Sequence, residues 1–134
     1  MSNDPAFLAL DDIISIHEAH LERYGGASGV RDQGLLESAI AHPQATFGGR
    51  FVHEDIFEMA AAYAFHIAKN QPFVDGNKRT GLLTAVVFLD LNGVCIDQPP
   101  DRLFQAMMDI ATRTLDKDGL GNLLRNLSAA GTGI

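Results

Sequence analysis

The sequence predicts an all-α fold, a compact bundle of about six helices around a central buried pair. Three observations carry this. Ile13, Ile16, His20, Leu21 and Tyr24 fall on one face of a helix, and later segments repeat that spacing. The segments 53–69 and 77–92 are apolar nearly all round, as helices buried on most sides must be. Gly, Pro and Asp stand where helices would stop or be capped, and only Val94-Cys95-Ile96 suggests a short extended piece.

The elements follow in order. Asp11 or Asp12 caps a first helix that runs to about Tyr24 and stops at Gly25-Gly26. A second helix spans about Asp32 to Ala41 and ends at His42-Pro43. Gly48-Gly49 marks a loop. A third helix begins near His53 and reaches about Lys69, with Ile56, Met59, Ala60, Tyr63, Ala64 and Ile67 at helical spacing. The segment 70–76 links it to a fourth helix, about Asn77 to Asn92, which Asn92-Gly93 terminates. Pro99-Pro100-Asp101 opens a fifth helix to about Leu115, and Asp118 caps a sixth. One domain, residues 1–127, is expected, with a frayed tail over 128–134.

Composition narrows the function. With 46% apolar and 20% charged residues, the 134-residue chain is of the globular class and long enough for one core. The net charge of −7 argues against direct nucleic-acid binding, since a phosphate backbone attracts basic surfaces. The single cysteine, Cys95, leaves no internal disulfide and fits a reducing cytoplasm; it reads as a small core hydrophobe. The acidic N-terminus does not read as a signal peptide, and no stretch reaches the roughly 18 apolar residues of a membrane span.

Against that acidic background, Lys69, Lys78 and Arg79 lie within eleven positions and are three of only ten basic residues. The segment Gln71-Pro72-Phe73-Val74-Asp75-Gly76-Asn77-Lys78-Arg79-Thr80-Gly81 leads straight into the fourth helix. Gly76 lets the backbone turn and approach a ligand closely. Asn77, Lys78 and Arg79 fall in the first helical turn, whose N–H groups have no partner inside the helix and face the positive end of its dipole. Such an end receives phosphate. Arg79 offers a planar fork and Lys78 a point charge, while Arg79 in a salt bridge is the bland alternative. Asp75 would repel phosphate unless a cation lay between them, which points to Mg²⁺; a cap on the fourth helix is the alternative role. Pro72 and Phe73 read as structural.

The same residues resemble the signature of the Fic/Doc family, His-Pro-Phe-x-Asp-Gly-Asn-Lys-Arg, in its short death-on-curing (Doc) form. Every fixed position matches except the first, where Gln71 replaces the histidine. Arg23-Tyr24-Gly25-Gly26, Arg31 to Ala39, Ala60-Ala61-Ala62-Tyr63, Phe88-Leu89 and Asn92-Gly93 also resemble the family. The resemblance implies a nucleoside triphosphate such as ATP, with Mg²⁺ at Asp75 and nucleotide contacts from Gly76, Asn77, Lys78, Arg79 and Thr80. Lys78 stands where adenylylating Fic enzymes carry a second Gly, and Leu82 where they carry a further Arg. Both features imply the Doc reaction: phosphate transfer to a Ser or Thr of a translation factor, elongation factor Tu, which halts translation. An antitoxin whose C-terminal segment folds into a groove is the implied partner.

In that family the histidine takes the proton of the attacking hydroxyl. Gln71 has no accessible pKa, but its amide can accept a hydrogen bond and orient a hydroxyl. Three alternatives stay open: a slow variant or one with another base, a non-catalytic relative that binds nucleotide or a partner, and a replacement that disarms a toxin. Adenylyl transfer is the alternative chemistry. Among other histidines, His66 reads as a packed structural residue, and His42 and His53 as loop or cap residues. His17-Glu18-Ala19-His20 is one residue short of a zinc-protease helix, with no third ligand evident.

Overall fold

The structure, a computed structural model, describes residues 4–96 and 100–132. Its six helices are α1 (Leu10–Tyr24), α2 (Gln33–Ala41), α3 (Ile56–Asn70), α4 (Asn77–Leu91), α5 (Pro100–Ala111) and α6 (Lys117–Thr132). The expected all-α bundle is what forms.

The core is the α3–α4 hairpin. Met59, Tyr63 and Ile67 of α3 and Phe88 and Leu89 of α4 are almost wholly buried. Each large apolar side chain so buried contributes about 1.5–3 kcal/mol. Alanines 60, 61, 62 and 64 keep α3 slim enough for other helices to close on it. Gly81 completes the fit: a side chain there would stand 2.8 Å from the carbonyl oxygen of Ala64. On the flanks, α2 and α6 pack on α3, and α1 and α5 on α4. The segment before α1 is pinned twice. The Leu8 N–H donates to the Tyr63 hydroxyl at 3.0 Å, and the Asn92 amide exchanges two hydrogen bonds with the backbone of Ala6. Burial pushes the Tyr63 phenol up to about 12.

Several boundaries differ from expectation. Asp12 does not cap α1 directly; it lies in the first turn, and its carboxylate accepts from the Ala9 N–H at 2.8 Å. The third helix starts later than His53, at Ile56, because Asp55 caps it. Asp116, rather than Asp118, accepts from a first-turn N–H of α6, that of Gly119, at 2.7 Å. The last helix runs to Thr132, through most of the segment read as a tail; residues 133–134 lie outside the described residues, as does Pro99. The loop at Gly48-Gly49 is a small hairpin, β1 (Thr46–Phe47) against β2 (Arg50–Phe51). Both glycines have positive φ, which is what a two-residue hairpin turn needs. Val94-Cys95-Ile96 forms no strand. Cys95 is exposed rather than core, because the chain past Gly93 runs over the surface and buries only Ile96 of the three.

Candidate functional site in the α3–α4 loop

Residues 71–76 cross from the end of α3 to the start of α4. Gln71 ends α3 in the left-handed conformation, φ 50 and ψ 55. That conformation costs a non-glycine residue about 1–2 kcal/mol, so surrounding contacts must hold it. Arg31 supplies them. Its side chain donates to the carbonyls of Gln71 at 2.8 Å and Asn70 at 3.0 Å, where the helix dipole favours a cation. The Arg31 and Asp32 N–H groups both donate to the Pro72 carbonyl, and the Val74 N–H donates to Gly29. Val30 and Phe73 form an isolated antiparallel bridge. The segment 29–32 therefore laces the loop along one side.

Two side chains hold it from inside. The Asn77 amide accepts from the Phe73 N–H at 2.9 Å and donates to the Phe73 carbonyl at 3.1 Å. The Asn77 amide thus braces the loop, while Asn77 also lines the cleft. His17 stacks on Phe73, ring centroids 3.9 Å apart, and its Nε2 donates to the Asp75 carbonyl at 2.8 Å. A carbonyl only accepts, so Nε2 carries the proton. Phe73 is buried and fixes the loop to the core, as expected.

Past this anchor the chain turns outward. Gly76 is the N-cap of α4 at φ 76, and no side chain caps the helix. A side chain at position 76 would stand 3.0 Å from the His20 ring. Asp75 does not cap α4 either. Its exposed carboxylate accepts from the N–H of Gly76 at 2.9 Å and, more weakly, from that of Ala27 at 3.3 Å. Among the described residues Arg79 forms no salt bridge. Its guanidinium lies 4.3 Å from the centre of the Phe104 ring and 5.1 Å from that of Tyr24. The two rings hold the fork between α1 and α5.

Gln71, Asp75, Gly76, Asn77, Lys78 and Arg79 all line one open cleft of about 1130 Å³. The size suits a small-molecule ligand. Thr80 does not join them. It is fully buried, its hydroxyl has no hydrogen-bond partner, and its N–H donates to the Gly76 carbonyl inside the helix. Its side chain faces the core rather than the cleft.

The sequence reading did not single out Arg31, Tyr24, Phe104 or His20 for this site. Tyr24 and Arg31 lie in segments that resemble the family, which is a signal. Phe104 and His20 gave none, since each sits on an apolar helix face. Lys69 also lines the cleft, close to His42 and His66. His66 and His42 stack with centroids 3.6 Å apart, and Lys117 reaches His66 Nε2 at 3.4 Å. Burial, then His42 and the nearby lysines, pushes His66 down to about 3. His53 is buried beside them. His66 is thus the packed, hydrogen-bonded residue expected.

The fold and loop define a class: all-α bundles organised on a helical hairpin whose connection carries Pro-Phe-x-Asp-Gly-Asn-Lys-Arg. A family described as the Fic/DOC family matches residues 7–89. "Toxin Doc" of Mycolicibacterium smegmatis is 41% identical over 109 residues, 80% of this chain and 84% of its own. "Protein kinase doc" of Escherichia phage P1 is 35% identical over 120 residues, 87% of this chain and 91% of its own. This chain belongs to the Fic/Doc family.

Proposed function

We propose that this protein is a Doc-type toxin that binds a nucleoside triphosphate with Mg²⁺ in the cleft and transfers phosphate to a Ser or Thr of a translation factor, elongation factor Tu. The observation that carries the reading is the uncapped α4 N-terminus at Gly76, with Asp75, Lys78 and Arg79 on one cleft. The relatives' names, one a toxin and one a protein kinase, support the reaction class. An antitoxin is the matching partner, and the acidic balance gives no footing for direct nucleic-acid contact. No helix among the described residues is long and apolar enough to cross a membrane, which is compatible with a cytoplasmic target.

Asp75 fits a metal. Its carboxylate is exposed and keeps acceptor capacity beyond its two N–H contacts. Mg²⁺ is commonly held by one or two carboxylates, with substrate phosphates and waters filling the other positions. No cluster of three or more His, Cys, Asp or Glu among the described residues could hold a metal alone, so phosphate oxygens would complete this one. When bound, the ion supplies charge neutralisation between Asp75 and the phosphates.

In the transfer, the acceptor hydroxyl oxygen bonds to the terminal phosphorus while the bond to the bridging oxygen breaks and the diphosphate leaves. Arg79 and Lys78 stabilise the charge on the departing oxygens. Gln71, which lines the cleft, accepts a hydrogen bond from the hydroxyl but cannot keep its proton, which passes to solvent. Loss of a general base typically lowers a rate about 10²–10⁴-fold. Phosphoryl transfer through a loose transition state leans on positioning, so slow turnover survives this loss.

Gln71 also motivates a second reading: a nucleotide- or partner-sensing protein of the same fold without turnover. The test incubates the protein and its Gln71→His form with labelled ATP and elongation factor Tu. Faster phosphate transfer by the histidine form supports the proposal. Transfer by that form alone supports the non-catalytic reading. Transfer by neither removes the kinase assignment, and transfer of the nucleotidyl group instead establishes adenylylation.

A further inference from the structure

His20 is a polar side chain of this region that makes no hydrogen bond to the loop. It lies on α1, one turn beyond His17, and is 5% exposed. Both ring nitrogens are buried without a hydrogen-bond partner. Leaving such a group unpaired costs about 1–3 kcal/mol, and a sequence rarely keeps it without use. The contrast with His17 is direct. That ring stacks on Phe73 and donates to Asp75, whereas the His20 ring leans on Tyr24, centroids 5.2 Å apart, and lines the cleft.

Its position within the cleft is specific. The ring edge, Cε1 and Nδ1, lies 3.0 and 3.1 Å from where a side chain on Gly76 would begin. Gly76 is the residue whose missing side chain opens the start of α4. His20 thus occupies the wall beside the uncapped end of the helix. Burial and then the Arg79 charge hold it below the ordinary histidine range, so at neutral pH it is an uncharged ring with one N–H donor.

We propose that His20 is a phosphate-contacting residue of this site, its ring N–H donating to an oxygen of the polyphosphate held over Gly76 and the first turn of α4. This rests on the triphosphate reading above and adds a contact outside the signature loop. The ligand pairs the buried donor, and the ring in turn supports the group against which Arg79 closes.

The test is His20→Phe, which keeps a planar ring and removes both nitrogens, with His20→Leu as the variant that decides if the first does not fold. Calorimetry measures binding of ATP, inorganic tripolyphosphate and adenosine, and thermal unfolding measures stability. The expected result is roughly tenfold weaker binding of ATP and tripolyphosphate, unchanged adenosine binding and an unfolding temperature no lower than that of the starting protein. Unchanged ATP binding overturns the assignment, as does equal loss of ATP and adenosine, which marks a change of shape. Arg79→Ala separates the two levels. If it weakens ATP binding while His20→Phe does not, the triphosphate site stands and the His20 contact falls. If the starting protein binds neither ATP nor tripolyphosphate, both fall.

Discussion

The two central helices begin in opposite ways. At the start of α3, Asp55 accepts from the Glu58 N–H at 2.9 Å, Glu58 reaches back to the Glu54 N–H at 2.8 Å, and Arg125 of α6 closes on Asp55. Side chains satisfy that helix end, and burial together with hydrogen bonds from Glu58 and Arg125 sets the carboxyl, the bonds prevailing to hold it below its ordinary range. At the start of α4, Gly76 brings no side chain, the Asn77 amide turns back to Phe73, and Lys78 and Arg79 line the cleft. Both helices face the same problem, first-turn N–H groups without partners. One end is sealed by its own protein and adds stability. The other forgoes a cap worth about 1 kcal/mol and stays open to a ligand.

The comparison breaks first at Gln71. If the open end serves catalysis, Gln71→His should raise the transfer rate about 10²–10⁴-fold, measured as initial rates with labelled ATP. An unchanged rate would mean that position 71 does not limit the transfer. Next, Arg79→Ala should weaken ATP binding by about 1.5–3 kcal/mol, the range of hydrogen bonds to charged groups. Unchanged affinity by calorimetry would mean that the open end is not a phosphate site.

A third measurement separates fold from site. Unfolded histidines take up protons near 6.5, but His66 resists until about 3, so between these values the unfolded state binds more protons. Stability should therefore fall as pH drops through that window, by about 2 kcal/mol from pH 7 to pH 5 for His66 alone. His42 and His53 are lowered as well and act in the same direction. Urea unfolding at the two pH values checks this, and a flat profile would contradict the buried neutral cluster. The smallest effect belongs to the sealed end. Asp55→Ala should cost about 1 kcal/mol through the lost cap, with little from its partly exposed ion pair, and leave ATP binding unchanged. Weakened ATP binding with intact folding would show that the two helix starts are coupled.

The sequence carried the helices, the central pair and the signature loop, because each rests on local rules. Helical spacing marks a face, Asp32 sits where a cap is wanted, and Gly76 precedes a helix. The loop motif also carried the family, and its first residue carried the chief mechanistic question. The orientation of side chains was not legible in the same way. The motif does not reveal that the Asn77 amide folds back onto Phe73 or that the Thr80 side chain turns into the core. His17 and His20 read as a pair, yet one grips a carbonyl 58 residues away and the other has no partner. Spacing along a chain fixes which residues share a helix face. What that face meets depends on how distant segments pack, and only the assembled bundle placed α1, the 29–32 segment and Phe104 around the start of α4.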